Sequence, residues 1–458
     1  MDEALLDVLI GEHLGRRGRY ERLWRYYRNP ARQGEGGRAR LAQEEGLPAR
    51  LLADAERERV IENDIAWRVH TLVDFMFGSP VSVQSLAAGP GRAGEIERFL
   101  RKVLEQAGGV GFLQDLALLG TVYGFADVLV RVEDGAGGAD AAERVVLELV
   151  EAPRAVPLMS EGDYRKLAGY AVHVRQQTRE LDRDGLLARV RERMGRGSAG
   201  GRRRIVERTQ VWTAARYRRY RGSGRERELV AEEVNRLGRV PVVHIQNLPQ
   251  PYVYEGLSEV EPLIPLQDEL NRRLSDRANR VTLQSFKMYL GKGIESFTER
   301  PIGPGQMWAT ENAEASIEEF GGDAASPSEQ AHIEEIREAL DKTSGVPPVA
   351  AGLLKGKVGN LTSESALRVV LMGLLAKTQK KRVTYGAGLA RLCELVLHAA
   401  DVHGLLPNRP EERRVRLEWP EVLPSGQSER LRNAGRKLEL GVPRKQVLAE
   451  LGYEEEGE

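Results

Sequence analysis

The sequence predicts an α+β fold in which long helices accompany a block of short strands. Apolar residues recur every three or four positions over 258–285, 329–342 and 364–403, a spacing that is typical of helices with one buried face. Between residues 125 and 245, short alternating or β-branched stretches are separated by turn residues, which is typical of antiparallel strands. Helices and strands that are segregated along the chain favour the α+β class.

The composition argues against several classes of protein. The chain has 458 residues, enough for two or more domains, and carries 68 basic and 68 acidic residues. A dedicated nucleic-acid binder needs a basic excess, whereas zero net charge is compatible with a protein past which DNA slides. The single cysteine, Cys393, excludes a disulfide or a cysteine-based metal site within one chain. No apolar run approaches a membrane span, and the acidic N-terminus lacks the basic region of a signal peptide, so we expect a soluble protein made in a cytosol.

The N-terminal third predicts polar helices followed by a better defined helix and strand. Residues 1–60 are expected to be helical with breaks, and the Gly and Pro residues of 31–50 indicate a loop. From residue 60 onward the apolar positions mark one face of a helix. Gly78 ends this helix, Pro80 prevents it from resuming, and a strand follows at 81–83. Residues 92–150 predict two helices, a strand, a turn and a second strand.

Residues 151–255 are expected to continue as strands, interrupted by a charged and Gly-rich stretch at 180–203. The basic, aromatic segment Arg216–Arg221 has two interpretations: it grips nucleic acid, or it is an amphipathic strand whose arginines are solvated. The charged run that ends at Leu237 and Gly238 carries no strand prediction.

The stretch 258–285 reads as one long helix around which the rest of the chain is organised. Ser258 is a suitable N-cap, and Glu259 and Glu261 lie where the helix dipole favours acidic side chains. The apolar stripe is narrow and most of the surface is charged, and about 25 helical residues span roughly 40 Å. The stretch is therefore either an ordinary surface helix or a strut packed side by side with copies of itself.

The C-terminal half predicts an insertion, two more helices and a loop. Residues 286–328 lack helical periodicity and predict a small β-rich insertion, before a helix over 329–342. The loop at 343–362 contains Gly and Lys, but it lacks the G-x-x-x-x-G-K-(S/T) pattern and no strand precedes it, which argues against a nucleotide site. The helix over 364–403 is expected to direct its basic residues toward solvent or DNA: Lys377, Lys380, Lys381 and Arg382.

No enzymatic site is indicated by the motifs. The sequence has no nucleophile elbow, no HExxH, no paired His/Asp metal set and no dinucleotide fingerprint, and its seven histidines are scattered. We therefore expect no catalytic residues, no metal and no cofactor.

Several motifs, taken in order, resemble the portal proteins of long-tailed bacteriophages. Asn63 to Val81, with Phe77-Gly78-Ser79-Pro80-Val81 at its end, is similar to the family pattern N-x-x-x-x-I-V-x-x-x-x-x-Y-(L/F)-F-G-x-P-V. Gly256–Glu259, Leu266–Asn271 and Ser275–Asn279 resemble the family's G-x-S-(D/E), L-x-(D/E)-x-x-N and S-D-x-x-N. Gly345-Val346-Pro347 and the loop after it also resemble the family, although Glu364 stands where Gly is common.

The resemblance covers nearly the whole chain and implies a portal fold with an α/β wing, a helical stem, a small β-rich clip and a C-terminal helical crown. The implied regions are the N-terminal part of the wing at 1–255, the first stem helix at 256–285, the clip at 286–328, the second stem helix at 329–343, the tunnel loop at 344–362, the long helix and C-terminal part of the wing at 363–425, and the crown at 426–458.

The resemblance also implies three sets of functional residues. The stem set, on helices expected to line a channel, is Asp268, Asn271, Arg272, Ser275, Asp276 and Asn279. The tunnel-loop set, expected to narrow the channel and meet DNA, is Val346, Leu353, Leu354, Lys355, Lys357 and Asn360. The clip set, expected to contact the terminase and later the head–tail adaptor, is Arg300, Trp308 and Glu311.

Membership in this family would make the chain a virion component. It implies a homo-oligomeric ring, usually of twelve subunits, at one capsid vertex and assembled in the host cytoplasm. Its partners would be the terminase large subunit, the major capsid and scaffolding proteins, a head–tail adaptor and the double-stranded DNA that passes during packaging and ejection, with no membrane. Two alternatives remain at this point: another oligomeric head protein, such as a scaffold or adaptor, and a nucleic-acid enzyme with an unrecognised site.

Overall fold

The protein is described here by a computed structural model, which divides it into two compact units. The described residues are 3–33, 39–53, 57–133, 140–179, 203–222, 227–285, 288–292, 314–320, 327–352, 364–422 and 427–441, together with 444 and 447. Unit 1 comprises Met1–Leu23, Arg68–Glu259 and Gly345–Glu458, and unit 2 comprises Trp24–Trp67 and Val260–Ser344.

Helices and strands are both abundant among the described residues, which confirms the α+β class. The α-helices are α1 Glu3–Arg28, α2 Ala49–Leu52, α3 Asp64–Phe77, α4 Pro90–Gln106, α5 Val110–Tyr123, α6 Ile264–Ser285, α7 Pro327–Ser344, α8 Glu364–Val370, α9 Met372–Val402 and α10 Gln427–Glu439. The strands are β1 Ala31–Gln33, β2 Ala39–Leu41, β3 Ser82–Ser85, β4 Phe125–Val132, β5 Val145–Val150, β6 Ala155–Ser160, β7 Asp163–Arg179, β8 Arg203–Thr213, β9 Arg216–Arg221, β10 Glu228–Val234, β11 Val242–Gln246, β12 Met288–Lys292, β13 Ser316–Phe320 and β14 Val415–Glu418.

The larger sheet of unit 1 has five antiparallel strands in the order β10-β9-β8-β7-β6. Its apolar face packs against α1 through a cluster of buried residues: Leu6, Ile10, Val156, Ala171, Val211 and Tyr220. The sequence does not predict β10, because this strand lies at the sheet edge and its residues are exposed or half-buried without alternation. In β9, Arg216 and Arg218 both pair with Glu232 of β10.

A second sheet of unit 1, with the order β11-β4-β5, packs against α5 and α9. β4 is buried on both faces and includes Asp127, which is fully buried. The carboxylate of Asp127 accepts hydrogen bonds from the hydroxyls of Tyr170 at 2.7 Å and Tyr254 at 2.8 Å, and its other oxygen lies 2.7 Å from Nδ1 of His244. These contacts satisfy a charge that would otherwise be costly to bury.

A two-stranded sheet joins distant parts of unit 1. β3 pairs with β14 in antiparallel register, with Ser85 opposite Val415 and Ser82 opposite Glu418. The predicted strand after Pro80 is thus present, and its partner is a strand near the C-terminus. The preceding helix, α3, ends as predicted at Gly78, whose N–H donates to the carbonyl of Asp74.

The long C-terminal helix predicted over 364–403 is present but divided at Leu371. This residue has φ −92° and ψ 5°, which interrupts the regular helix between α8 and α9. The i to i−4 hydrogen bonds nevertheless continue, from Leu371 to Leu367 and from Leu375 to Leu371, both at 2.9 Å. The helices of the described residues include none that is long and apolar enough to cross a membrane.

Unit 2 contains the antiparallel helices α6 and α7, the hairpins β1–β2 and β12–β13, and α2. Leu270 of α6 and Ile333, Ile336 and Leu340 of α7 are buried, so one apolar side of each helix is removed from water. Residues 31–50, for which the sequence predicts a loop, form β1, β2, a 3₁₀ turn at Ala42–Gly46 and the start of α2. Each of these elements has only three to five residues, which is too short for a hydrophobic period to be recognised.

Candidate functional site

The helix α6 begins later than the sequence predicts. Ser258 does not cap it, because its hydroxyl donates instead to the carbonyl of Val122 at 2.6 Å. A 3₁₀ turn at Glu261–Leu263 follows, and α6 proper starts at Ile264. Proline fits the first turn of a helix, and both Pro262 and Pro265 fall at this start.

Four polar side chains of α6 bind the main chain of an extended segment, residues 58–64. We call this arrangement the polar ladder; its side chains, one every fourth residue, are Gln267, Asn271, Ser275 and Asn279. The N–H of Asp64 donates to Gln267 Oε1, that of Glu62 to Asn271 Oδ1, that of Val60 to Ser275 Oγ and that of Glu58 to Asn279 Oδ1, each at 3.0 Å.

The spacing of the polar ladder follows from the geometry of the two elements. Four residues of an α-helix rise about 6 Å, and two residues of an extended strand rise about 6.6 Å. Every fourth side chain of α6 therefore meets every second N–H of an antiparallel extended segment. The match holds over four successive contacts, from Gln267 to Asn279.

The same side chains also return hydrogen bonds to the extended segment. Asn279 Nδ2 donates to the carbonyl of Glu58 at 2.8 Å, and Gln267 Nε2 donates to that of Glu62. Asn271 Nδ2 donates to Gln43 Oε1 at 3.2 Å, and Gln43 Nε2 donates to Asn63 Oδ1 at 2.9 Å. These pairings satisfy the polar side chains of Gln43, Gln267 and Asn271, which are completely buried, as the interior of a protein requires.

Two acidic residues of α6 bind other parts of unit 2. Asp268 Oδ1 accepts a hydrogen bond from the Tyr26 hydroxyl at 2.8 Å, and Asp276 Oδ2 lies 2.7 Å from Arg50. Asp268 also lies against Gly46, where a Cβ would stand 2.0 Å from Oδ1, so any larger residue at this position would have to displace the Asp268 carboxylate.

Ion pairs link neighbouring turns of α6 and connect it to α7. Glu269 accepts from Arg272 at 3.0 Å and from Arg273 at 2.7 Å. Burial alone would raise the pKa of Glu269, but the hydrogen bond and charge of Arg273 outweigh it and lower this pKa. Between the helices, Arg277 donates to Gln330 at 2.7 Å and Arg280 pairs with Glu329.

The six predicted stem residues all lie on α6, but their surroundings differ. Asn271 and Ser275 are buried by the polar ladder, whereas Asp268, Arg272, Asp276 and Asn279 are half-buried. Gln267, Gln43 and Glu62 complete the arrangement and were not singled out from the sequence. The signal for Gln267 was present, since it continues the four-residue spacing of Asn271, Ser275 and Asn279.

The predicted tunnel loop is described only at its beginning. Val346 is fully buried, and a 3₁₀ turn spans Pro348–Ala351. The other predicted loop residues lie outside the described residues: Leu353, Leu354, Lys355, Lys357 and Asn360. The clip set also lies outside them: Arg300, Trp308 and Glu311.

A buried ionic cluster lies in unit 1 and includes Glu259, the residue that precedes the segment 260–344 in the chain. Glu259 Oε2 is 2.8 Å from Lys377 Nζ, and Glu259 Oε1 is 3.3 Å from Lys381 Nζ. Lys381 also donates to Thr121 Oγ1 at 3.3 Å. Gly345 lies against this cluster, since a Cβ at this position would stand 3.4 Å from Cε of Lys377. We call Glu259, Lys377 and Lys381 the ionic clasp.

The ionic clasp corrects the prediction that the basic residues of the long helix all face outward. The Lys381 side chain is only 1% exposed and that of Lys377 is 19% exposed, because both reach Glu259. Arg382 is half-buried and lies over the ring of Trp419, 5.1 Å from its centre. Of the four, Lys380 alone is exposed as predicted.

The charges of the ionic clasp shift the pKa values of Glu259 and Lys381. Burial would raise the pKa of Glu259, but the ammonium groups of Lys381 and Lys377 outweigh burial and hold this pKa below its ordinary value. Burial lowers the pKa of Lys381, and the negative charge of Glu259 partly opposes that change. Glu259 is therefore ionised at neutral pH.

The described residues show no arrangement suited to a metal. No group of three or more His, Cys, Asp or Glu side chains that could hold an ion occurs among them. Cys393 is buried in α9, and burial raises the pKa of its thiol to about 12, which makes it an unreactive core residue.

The chain is similar to chains of two solved gene transfer agent (GTA) particle structures. One is described as the neck of an empty gene transfer agent (GTA) particle computed with C6 symmetry, at 12% sequence identity and a TM-score of 0.49, covering 83% of this chain and 90% of that chain. The other is described as the virion of a native GTA particle, at 13% identity and a TM-score of 0.45, covering 85% and 90%. No curated protein matches the chain.

One sequence family matches almost the entire chain. Its model, described as "Phage portal protein, SPP1 Gp6-like", matches residues 6–456. The match includes the motifs at Asn63–Val81, Gly256–Asn279 and Gly345–Pro347, and it favours a portal protein over a scaffold, an adaptor or an enzyme. The chain belongs to the family of SPP1 Gp6-like phage portal proteins.

Proposed function

We propose that twelve copies of the chain assemble into a ring at one capsid vertex, and that double-stranded DNA passes through its central channel during packaging and ejection. The observation that carries this proposal is the family match over residues 6–456. A portal is a structural component of the virion that connects head and tail, and it needs no catalytic residues of its own.

The α6–α7 pair suits the part of a channel wall that must stay rigid. The two helices pack through buried apolar residues, and the polar ladder fastens α6 to the segment 58–64 by contacts to the main chain. We propose that this pair is the stem. The clip, predicted at 286–328, would then connect the first stem helix to the second, and the tunnel loop, predicted at 344–362, would follow the second stem helix.

The charge balance of the chain is compatible with DNA that moves. Each phosphate that a protein neutralises adds affinity, so a strongly basic channel would hold DNA in place. The chain has equal numbers of acidic and basic residues, and Lys377 and Lys381 are engaged by Glu259. We propose that Lys355 and Lys357 of the tunnel loop make brief contacts with passing phosphates.

The proposed partners follow from the position of a portal between head and tail. The clip, with Arg300, Trp308 and Glu311, would bind the terminase large subunit during packaging and a head–tail adaptor afterwards. The outer part of the ring would meet the major capsid and scaffolding proteins during assembly in the host cytoplasm.

The experiment that tests the proposal is negative-stain electron microscopy of the protein co-expressed with its capsid and scaffolding proteins, with native mass spectrometry as a check. We expect rings with a central hole wide enough for duplex DNA and a mass of about twelve subunits. Absence of rings under these conditions would contradict the proposal.

A further inference from the structure

The two helices of the stem pair carry opposite excess charge on their solvent-exposed sides. α7 exposes Glu334, Glu335 and Glu338. α6 carries four partly or fully exposed arginines against three half-buried carboxylates, and these charged residues are Arg272, Arg273, Arg277, Arg280, Asp268, Glu269 and Asp276.

In the part of the chain that the structure describes, Glu334, Glu335 and Glu338 of α7 have no lysine or arginine as an ion-pair partner. Glu334 accepts a hydrogen bond from the neutral Gln330 at 2.8 Å, and Glu335 lies 3.7 Å from a ring nitrogen of His332. Among the described residues, no lysine or arginine pairs with any of the three, and the Glu335 side chain is 75% exposed.

The arginines of α6 retain a positive excess. Arg272 and Arg273 share the carboxylate of Glu269, Arg273 also lies 4.0 Å from Asp276, and the two arginine side chains are 37% and 38% exposed. Arg277 donates to the neutral amide of Gln330. Guanidinium groups have several donors in a plane, so each of these arginines retains donors that suit a further carboxylate.

This inference rests on the proposed ring. In a closed ring of identical copies each contact is heterologous, so every copy needs two different and complementary surfaces. We infer that α7 of one copy packs beside α6 of the next copy, with Glu334, Glu335 and Glu338 facing Arg272, Arg273 and Arg277. Both surfaces belong to one helix pair, so the same contact repeats around the ring.

Charge reversal on either helix tests the contact. The first variant carries Glu334→Lys, Glu335→Lys and Glu338→Lys, and the second carries Arg272→Glu, Arg273→Glu and Arg277→Glu. Each places like charges across the contact, so we expect at least about a tenfold loss of subunits found in rings. Native mass spectrometry of the co-expressed assemblies measures that fraction.

The decisive variant combines all six substitutions in one chain. Reversing both surfaces restores opposite charges across the contact, and we expect the fraction of subunits in rings to recover to near the wild-type level. Because the combined variant contains every substitution of the other two, its recovery would also show that they still fold. Failure of the combined variant to form rings would overturn the inference.

The matched control carries Glu12→Lys, Glu105→Lys and Glu161→Lys, three exposed glutamates of unit 1 with the same total charge change. We expect it to form rings. Normal rings in the triple lysine variant of α7 would also overturn the inference, while the proposed function would stand. If the wild-type chain forms no rings, the proposed function itself fails.

Discussion

Glu259 is the residue that holds the ionic clasp of unit 1 together. It is the last residue of unit 1 before the segment 260–344, and it holds two ammonium groups that are far from it in sequence. A buried ion pair is weak evidence for stability, but removal of one partner leaves an unpaired charge in the interior.

We predict that Glu259→Gln lowers the free energy of unfolding by about 3–5 kcal/mol, because Lys381 would remain buried without a counter-charge. Urea denaturation of the monomeric protein measures this change. In the double variant Glu259→Gln with Lys381→Met neither fully buried charge of the ionic clasp remains, and most of the loss should be recovered. Glu105→Gln, on the exposed side of α4, serves as the control and should change stability by less than about 0.5 kcal/mol. Equal effects of Glu259→Gln and Glu105→Gln would contradict the importance of the ionic clasp.

Because Glu259 titrates, its contribution to the free energy of unfolding should depend on pH. The pKa of Glu259 is lower in the folded protein than its ordinary value of 4.5, so its contribution to stability is present above pH 4.5 and is lost as pH falls through the lowered value. The difference in stability between the wild type and Glu259→Gln should therefore be constant near neutral pH and shrink in acid. A difference that grows on acidification would have the wrong sign.

The ionic clasp also shows what the sequence does not reveal at the scale of a residue. Lysines on a long amphipathic helix normally face solvent, and that rule places Lys381 outside. Its partner Glu259 lies more than a hundred residues earlier, at a position that also fits the acidic start of a helix. Spacing along one helix therefore predicted the helix but not the partner of this side chain.

At the scale of an element, the polar ladder explains why α6 has a narrow apolar stripe. One side of the helix packs on apolar residues, while the adjacent side binds main-chain groups of the segment 58–64 through Gln267, Asn271, Ser275 and Asn279. Side chains that bind a backbone recognise its extended conformation and not its sequence. The segment is thereby fixed without being a strand of any sheet.

We predict that Asn271→Ala is costlier than Asn279→Ala. Asn271 is fully buried, and its loss leaves the N–H of Glu62 and Oε1 of Gln43 without these partners, at about 2–3 kcal/mol. Asn279 lies at the exposed end, where water replaces its bonds to Glu58, so we expect less than about 1 kcal/mol. Hydrogen exchange should show faster exchange at the Glu62 amide in Asn271→Ala and little change there in Asn279→Ala. The reverse order would contradict the ladder.

The elements differ in how far the sequence predicts them. The four-residue spacing of polar residues on α6 is visible in the sequence, but nothing in residues 58–64 indicates that they receive it. The strands β4 to β9 and β11 were predicted because alternation or an apolar run marks them. β10 was missed because an exposed edge strand has neither. The division at Leu371 was missed because its nearest sequence signal, Gly373, is a single glycine within a helical pattern, which does not by itself predict a break.

At the scale of the whole molecule, family membership makes DNA passage the function to be tested. We predict that removal of residues 350–358 leaves ring assembly intact but sharply lowers the number of DNA-filled heads, because the loop around 345–360 is expected to narrow the channel. Counting filled and empty heads by electron microscopy measures the effect.

The matched control for this deletion removes nine residues from another charged and Gly-rich stretch, 185–193. We expect it to package DNA at close to the wild-type level. Normal packaging by the 350–358 deletion would refute the assignment of the tunnel loop, and a loss of rings would show that these residues act in assembly instead.

The pairing of β3 with β14 has a consequence for the timing of synthesis. Roughly 330 residues separate the two strands, and at about 5–20 residues per second a ribosome needs roughly 15–65 s to make them. During that interval β3 lacks the partner with which it pairs in the described part of the chain. The β3–β14 sheet can therefore form only after the ribosome has passed residue 418.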